Sequence, residues 1–456
     1  MKQKKSLETF SKMPVGKAVI QNAVPAMLSM LMVLVYNLAD TFFIGQTHDD
    51  FQVAAVSLAT PVFLIFMSVG TVFGIGGTSV ISRALGEGKT DYAKKVCSFC
   101  MWSCVFVGII MSAVFIIFID SILRLIGTSA DVWNYTKNYL VIVSFCGPFV
   151  LISNCFSNIL RAEGQSVKAM LGMLLGNLLN VILDPIFILT FKMDIVGAAI
   201  ATVIGNVIGA AYYIFYYLKG ESSLGVNIRN FTVRNNVCKS VLAIGIPASL
   251  GSALMSISQI IVNGQMAHYG DLAVAGIGVA MKITMITGMI AMGVGQGIQA
   301  LLGYCAGANL WDRFKKIMSY SLKFAFALSA GMTALCYIFN SNIINVFLTQ
   351  DTAFNYAQSF SKILLTTSAL FGIFYVIINA LQAIGAATES LVVNLSRQGI
   401  IYIPAIFILQ AKLGVTGLIW AQPVADILSL LLAVFLYIKI LRKITYKRES
   451  ISDERE

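Results

Sequence analysis

The chain has 456 residues, 58% of them hydrophobic and 12% charged, with 32 Lys and Arg against 21 Asp and Glu. A soluble domain carries about 25% charged residues, and half that share cannot cover the surface of a water-soluble globule of this length. A cytosolic enzyme, a secreted disulfide scaffold and a disordered regulator are thereby excluded, leaving a polytopic membrane protein whose net charge of +11 must be placed.

An apolar run that crosses about 30 Å of hydrocarbon needs roughly 20 residues. Twelve such runs occur, at about 17–45, 52–78, 93–119, 136–160, 168–190, 196–218, 240–267, 272–303, 317–339, 356–384, 391–410 and 415–440. They exceed the roughly 10-residue alternating strands of outer-membrane barrels. The expected fold is therefore all-α, with twelve transmembrane spans numbered in that order.

Span 1 follows a basic tail, MKQKKSLETFSKM, and is too long for a signal-peptide core, so it is expected to be retained. It holds Pro25, and it places Tyr36 and Asp40 one turn apart on one face. Span 2 holds Pro61 and runs into Ile81-Ser82-Arg83-x-Leu85-Gly86. Span 3 begins with Cys97, Cys100 and Cys104, which lack a fourth Cys or His nearby and read as packing rather than a metal site. The eight cysteines form no disulfide framework. Span 5 carries Asn180 and Asp184 one turn apart, followed by Pro185, and span 6 carries Thr202.

Span 7 offers Gln259 and Asn263. Span 8 offers Met281, Met285, Met289 and Met292 at helical spacing. A methionine stripe suits a surface that accepts unlike apolar ligands, although packing explains such stripes more often. Met281, Met285, Met289, Gln259 and Asn263 are the candidates for lining a substrate cavity. Asp426 lies in span 12. The pairs Gly70/Gly74, Gly172/Gly176, Gly205/Gly209 and Gly293/Gly297 read as close helix contacts.

The Lys and Arg residues set the topology. With the N-terminus inside, 26 of them fall in the tails, the linker and the inner loops, a tally that includes two in the loop after span 4 and Arg397. Four fall in outer loops, and Lys282 and Lys362 lie in or near spans. Both termini are expected in the cytoplasm, and the net charge reads as orientation rather than as a nucleic-acid patch.

The two halves of the chain repeat each other. Lys17…Val24-Pro25-Ala26 matches Lys239…Ile246-Pro247-Ala248, and Gly86…Asp91-x2-Lys94-Lys95 matches Gly307…Asp312-x2-Lys315-Lys316. Asn158-x-Leu160-x-Ala162-x-Gly164 returns as Asn379-x-Leu381-x-Ala383-x-Gly385, at an offset of about 221 residues. The expected organisation is an N-lobe over 1–220, a cytoplasmic linker over 221–239, a C-lobe over 240–441 and a cytoplasmic tail over 442–456. Six spans per half make the repeats parallel, with a cavity between lobes that rocking opens to either side.

Three carboxylates fall well inside spans: Asp40, Asp184 and Asp426. Burying each costs at least about 2.5–3.5 kcal/mol, which calls for a partner or a role. Asp40, Asp184 and Thr202 each lie about five or six residues from the outer end of their spans, and so at similar depth. With Asn180 they form an oxygen-donor cluster suited to Na⁺ or to shared protons. The plainer reading has each Asp hydrogen-bonding a neighbouring helix. Asp426 shows no polar companion at its depth, and structural and functional readings weigh equally there. Pro25, about fifteen residues below Asp40, is the candidate hinge.

Pro25 and Asp40, the loop motif after span 2, and Asn180-x3-Asp184-Pro185 followed by Val196-Gly197-Ala198-Ala199 resemble the multidrug and toxic compound extrusion (MATE) family of the MOP superfamily, in its bacterial MepA-like and DinF-like branch. The resemblance spans nearly the whole chain. It implies a multidrug efflux antiporter, coupled to H⁺ or Na⁺, that exports amphipathic and often cationic organic compounds. It places the coupling cation at Asp40, Asn180, Asp184 and Thr202 with Tyr36 nearby, and the bend at Pro25. Carboxylates known from the NorM-like branch on spans 7 and 10 have no counterpart; Gln259, Asn263, Asn379 and Gln382 stand there instead.

The expected partners are small drug substrates and the lipid bilayer, with no nucleic acid, no cofactor, no transition metal and a monomeric protein. The expected location is the bacterial inner membrane. A flippase for lipid-linked oligosaccharides is the alternative, disfavoured by the acidic spans. An intramembrane enzyme is disfavoured because His48 and His268 fall in outer loops and no catalytic motif surrounds the aspartates.

Overall fold

The computed structural model describes residues 10–453 apart from 48, 221, 223, 235 and 349. His48, the first nine residues of the basic tail and the last three of the C-terminal tail lie outside them. The described residues are helical almost throughout, as all-round apolar runs in a bilayer require, because only a helix or a closed barrel satisfies its own backbone there.

Spans 1 to 3 are the helices Val15–Gly45, Asp50–Gly86 and Thr90–Ile117. Span 5 is Ser166–Pro185, continued by a π turn over Ile186–Thr190, and span 6 is Asp194–Leu218. Spans 7 to 9 are Val237–Ala267, Asp271–Gly307 and Trp311–Ile338. Spans 4 and 10 are each broken. Ala130–Phe145 meets Gly147–Ala162 at 57°, and Asp351–Ser368 meets Phe371–Ala383 at 47°. A short helix precedes each broken span, Ile119–Leu125 and Asn340–Phe347, so the repeat extends to these irregularities.

The last apolar stretch runs from Ala387 through a π turn at Ser396–Ile400 into Tyr402–Asp453. Gly414, at φ 60° and ψ −140°, divides it into spans 11 and 12. Counting each bent pair once gives eleven helices long and apolar enough to cross a membrane among the described residues, and twelve when the last stretch is divided at Gly414. The matching motifs around Asn158 and Asn379 also gain a physical reason. Gly164 and Gly385 take φ of 77° and 82°, the left-handed turn that ends a helix and that glycine adopts without strain.

One buried apolar cluster fills most of the N-terminal half and takes in Val237 and Val241 of span 7; another in the C-terminal half takes in Phe10, Ala18, Val19 and Ala23 from the start of the chain. The halves meet where span 1 packs on span 8 and span 2 on span 7. Glycines set that seam. A Cβ on Gly293 would stand 2.5 Å from Met27 Cα, and one on Gly297 would stand 2.6 Å from Ala23 Cα. A Cβ on Gly245 would overlap the Val72 carbonyl oxygen, and one on Gly307 the Arg83 carbonyl oxygen. Arg161 Nη1 bridges the lobes to Gln296 Oε1 at 3.0 Å, Ser249 Oγ meets Ser68 Oγ at 3.2 Å, and Ser79 donates to the Gln382 carbonyl. These contacts all lie in the halves of the spans nearest the interlobe linker.

Candidate coupling-cation site

In the N-lobe, two glycines create the approach on which the site depends. A Cβ on Gly176 of span 5 would stand 2.7 Å from the Gly205 carbonyl oxygen of span 6, and one on Gly205 would stand 2.6 Å from that of Gly176. Only hydrogen at both positions lets the two helices touch backbone to backbone. One turn further outward this proximity brings Asn180 to Thr202, with Nδ2 3.3 Å from Oγ1. With its amide turned the other way, Asn180 donates to Asp184 Oδ2 at 3.1 Å and accepts from the Thr202 N–H at 3.0 Å. Asn180 therefore links Asp184 to span 6.

Asp184 is fully buried and Asp40 is 7% exposed. The two carboxylates lie within electrostatic reach of each other and of Tyr36. The phenol of Tyr36 lies near the Thr202 hydroxyl. The structure thus brings Tyr36, Asp40, Asn180, Asp184 and Thr202 together, from spans 1, 5 and 6. It adds Tyr139, a buried residue of the first half of span 4 that reaches Thr202 and faces both carboxylates. Depth was the available signal for Tyr139, since it lies near the outer start of its span as Thr202 does.

Asp40 Oδ1 and Asp184 Oδ1 are buried without a hydrogen-bond partner among the described residues. Two neighbouring carboxylates in low dielectric cannot both stay as bare anions, so the pair must take up positive charge. Carboxylate, amide, hydroxyl and phenol oxygens suit a proton or a hard monovalent ion. Pro25 sits inside Val15–Gly45, where the Ser29 hydroxyl donates to its carbonyl at 2.9 Å.

Two readings of the C-lobe need correction. Arg397 does not project from an inner loop; it is buried in the π turn of span 11, and its Nε donates to Asp426 Oδ1 at 2.8 Å. Asp426 is therefore not without companions. Gln422 donates to Oδ1 at 3.0 Å and the Thr367 hydroxyl to Oδ2 at 3.1 Å. Arg161, also counted with the loops, is completely buried at the seam.

Gln259 and Asn263 are exposed on span 7, while Met281, Met285, Met289 and Met292 are half-buried on span 8. Met281 packs against the apolar cluster around Ile277 and Tyr402. Lys282 lies over the Phe347 ring, 5.2 Å from its centre.

Comparison with known proteins agrees with this architecture. The MatE family profile matches residues 25–186 and 247–408, one match in each half. The chain is 33% identical over 431 residues to the Multidrug export protein MepA of Staphylococcus aureus, covering 94% of each chain. It is 30% identical over 448 residues to the Multidrug export protein MepA of Staphylococcus haemolyticus, covering 97% of each. Among solved structures, an outward-facing multidrug resistance MATE family transporter of the MOP superfamily superposes with a TM-score of 0.89 at 24% identity, over 96% of this chain and 98% of that one.

Proposed function

The chain belongs to the MatE family of multidrug efflux transporters, and from that premise we propose that it is an antiporter coupling inward movement of H⁺ or Na⁺ to export of amphipathic, often cationic organic compounds. The observation that carries the coupling is the N-lobe pair, two buried carboxylates that each keep an oxygen without a partner among the described residues. Such a pair takes a cation when the cavity faces the ion-rich side and gives it up when the lobes rock. Asn180, Thr202, Tyr36 and Tyr139 hold the remaining oxygen contacts. Pro25, on the same helix as Asp40, is the point where span 1 bends in response.

The protein works as a monomer in the bacterial cytoplasmic membrane with both termini inside. Taking the buried Arg161 and Arg397 out of the inner tally still leaves a large excess of Lys and Arg on that side, which supports the orientation. The described seam then closes the cytoplasmic end.

Efflux of a fluorescent organic cation from proteoliposomes tests the reading under imposed Na⁺ or H⁺ gradients. Asp40→Asn and Asp184→Asn should each abolish gradient-driven transport while the protein remains folded in the membrane. Full activity in both variants removes the carboxylates from the mechanism. The gradient that drives the wild type identifies the ion.

A further inference from the structure

The C-lobe carries its own cation. Around the Arg397–Asp426 pair, the guanidinium carbon stands 4.7, 4.8 and 5.5 Å from the ring centres of Phe371, Phe374 and Tyr375. Arg397 Nη1 also donates to the Tyr375 hydroxyl at 3.3 Å. Three aromatic faces with a carboxylate at one end form a pocket whose chemistry holds a positive charge. Here the charge is tethered to the chain.

The repeat shows that the scaffold does not need this pair. The offset of 221 residues that relates Asn158 to Asn379 also carries Gly176 onto Arg397, and the offset of 220 that relates Gly197 to Gly417 carries Gly205 onto Ala425, beside Asp426. In the N-lobe those two glycines touch backbone to backbone, so the same helix crossing is made there with no side chains. The N-lobe carboxylates lie further out and each keeps an oxygen without a partner among the described residues, whereas both oxygens of Asp426 are engaged.

We propose that Arg397 is the permanent occupant of a monovalent-cation pocket in the C-lobe. By filling it, Arg397 keeps Asp426 out of ion exchange and confines the coupling cation to the N-lobe. The last clause rests on the coupling reading above; the pocket itself does not. With arginine removed, Asp426 becomes a carboxylate that takes a proton or Na⁺. The other titratable groups facing it are Tyr375 and Tyr402, and neutral phenols do not ionise between pH 5 and 8.

Four proteins test this: the wild type, Arg397→Gln, Asp426→Asn and the double variant. In detergent, the thermal midpoint of Arg397→Gln should rise by several degrees relative to the double variant as pH falls from 8 to 5, or as Na⁺ is added at pH 8. The wild type should follow the double variant. Asp426→Asn, which strands the guanidinium, should be less stable than the double variant at every pH. In proteoliposomes the double variant should keep the wild-type dependence on the imposed Na⁺ or H⁺ gradient.

An Arg397→Gln protein that tracks the double variant at every pH and Na⁺ concentration overturns the pocket. A double variant that melts like the wild type yet has lost gradient-driven efflux overturns the confinement, because Asp426 would then carry an exchanged ion. The double variant, neutral at both positions, decides that point even if Arg397→Gln cannot be purified. If the wild type shows no gradient-driven efflux, the coupling reading fails, while the detergent titration still decides the pocket.

Discussion

Gly245→Ala isolates what the interlobe seam does. The added Cβ would overlap the Val72 carbonyl oxygen and lie 2.7 Å from its carbon and 2.9 Å from Val72 Cα. Carbon atoms pack at about 3.5–4.0 Å, so the lobes must part by about 1 Å to admit it. Overpacking of this kind costs about 1–3 kcal/mol. The cost falls on the closed seam alone, because an open seam has no backbone opposite Gly245. An energy of that size shifts a two-state equilibrium by about 5- to 150-fold. Ser68 and Ser249 supply the reporter, since their hydroxyls meet across the seam at 3.2 Å. Cysteines at both positions should oxidise readily to a disulfide in the parent, and at least about fivefold more slowly when Gly245→Ala is added, with efflux falling in parallel. Gly264→Ala, whose Cβ meets nothing within 4 Å, is the control and should change neither. Wild-type cross-linking and wild-type efflux in Gly245→Ala would refute the seam as the closed gate.

Thr202→Val removes the hydroxyl that meets Asn180 and lies beside Tyr36 and Tyr139. The apparent affinity for the driving ion should fall about tenfold while stability changes by about 1 kcal/mol, read by gradient titration of efflux and by thermal melting. In the turn after span 4, burial pushes the Glu163 carboxyl up to about 7, despite hydrogen bonds from Ser222 and Tyr217 and the nearby Lys168. The folded state therefore binds this proton more tightly than the unfolded one. Stability from this group is full below pH 4.5 and falls as pH rises towards 7, by about 3 kcal/mol at most. Glu163→Gln should flatten that slope in detergent melts; an unchanged slope refutes the assignment. Seven of the eight cysteines are buried and Cys238 is partly exposed, so a maleimide should label one thiol per folded chain and eight after denaturation, counted by intact mass.

The crossings and the N-lobe cluster were legible because both follow from scarcity. Few charges lie within apolar runs, and a helix fixes depth from residue count alone, which was enough to align Asp40, Asp184 and Thr202. Depth fails for direction. Arg397 sits where a span gives way to polar residues and so counts as a loop charge, yet a π turn rotates it inward to Asp426, and nothing in the composition of residues 391–410 announces that turn. The break in span 4 was hidden for a similar reason. Hydropathy is indifferent to a 57° bend, and only Gly147-Pro148 marks it, the glycine being pressed against Ser112 and Phe66. Tyr139 escaped because one tyrosine among 17 carries no distinguishing neighbour in sequence.

Under the antiport proposed above, the composition of the seam explains how a small charge change would move two six-helix lobes. The glycine contacts of spans 1, 2, 7 and 8 gain close backbone packing when the seam shuts. At the same seam Arg161 Nε and Gln382 Oε1 are buried without partners among the described residues. Each such atom costs about 1–3 kcal/mol when buried and is relieved by water when the seam opens. The packing gain and the polar penalty therefore oppose each other at one interface, leaving closed and open states close in free energy. Moving such a pair of states from mostly one to mostly the other takes only about 5.5 kcal/mol of differential binding. In the proposed mechanism that difference is supplied by cation binding at the Asp40–Asp184 pair. A seam of leucines would lack the penalty and stay shut, so in the proposed mechanism the amide of Gln382 and the buried guanidinium belong to the switch as much as the glycines do.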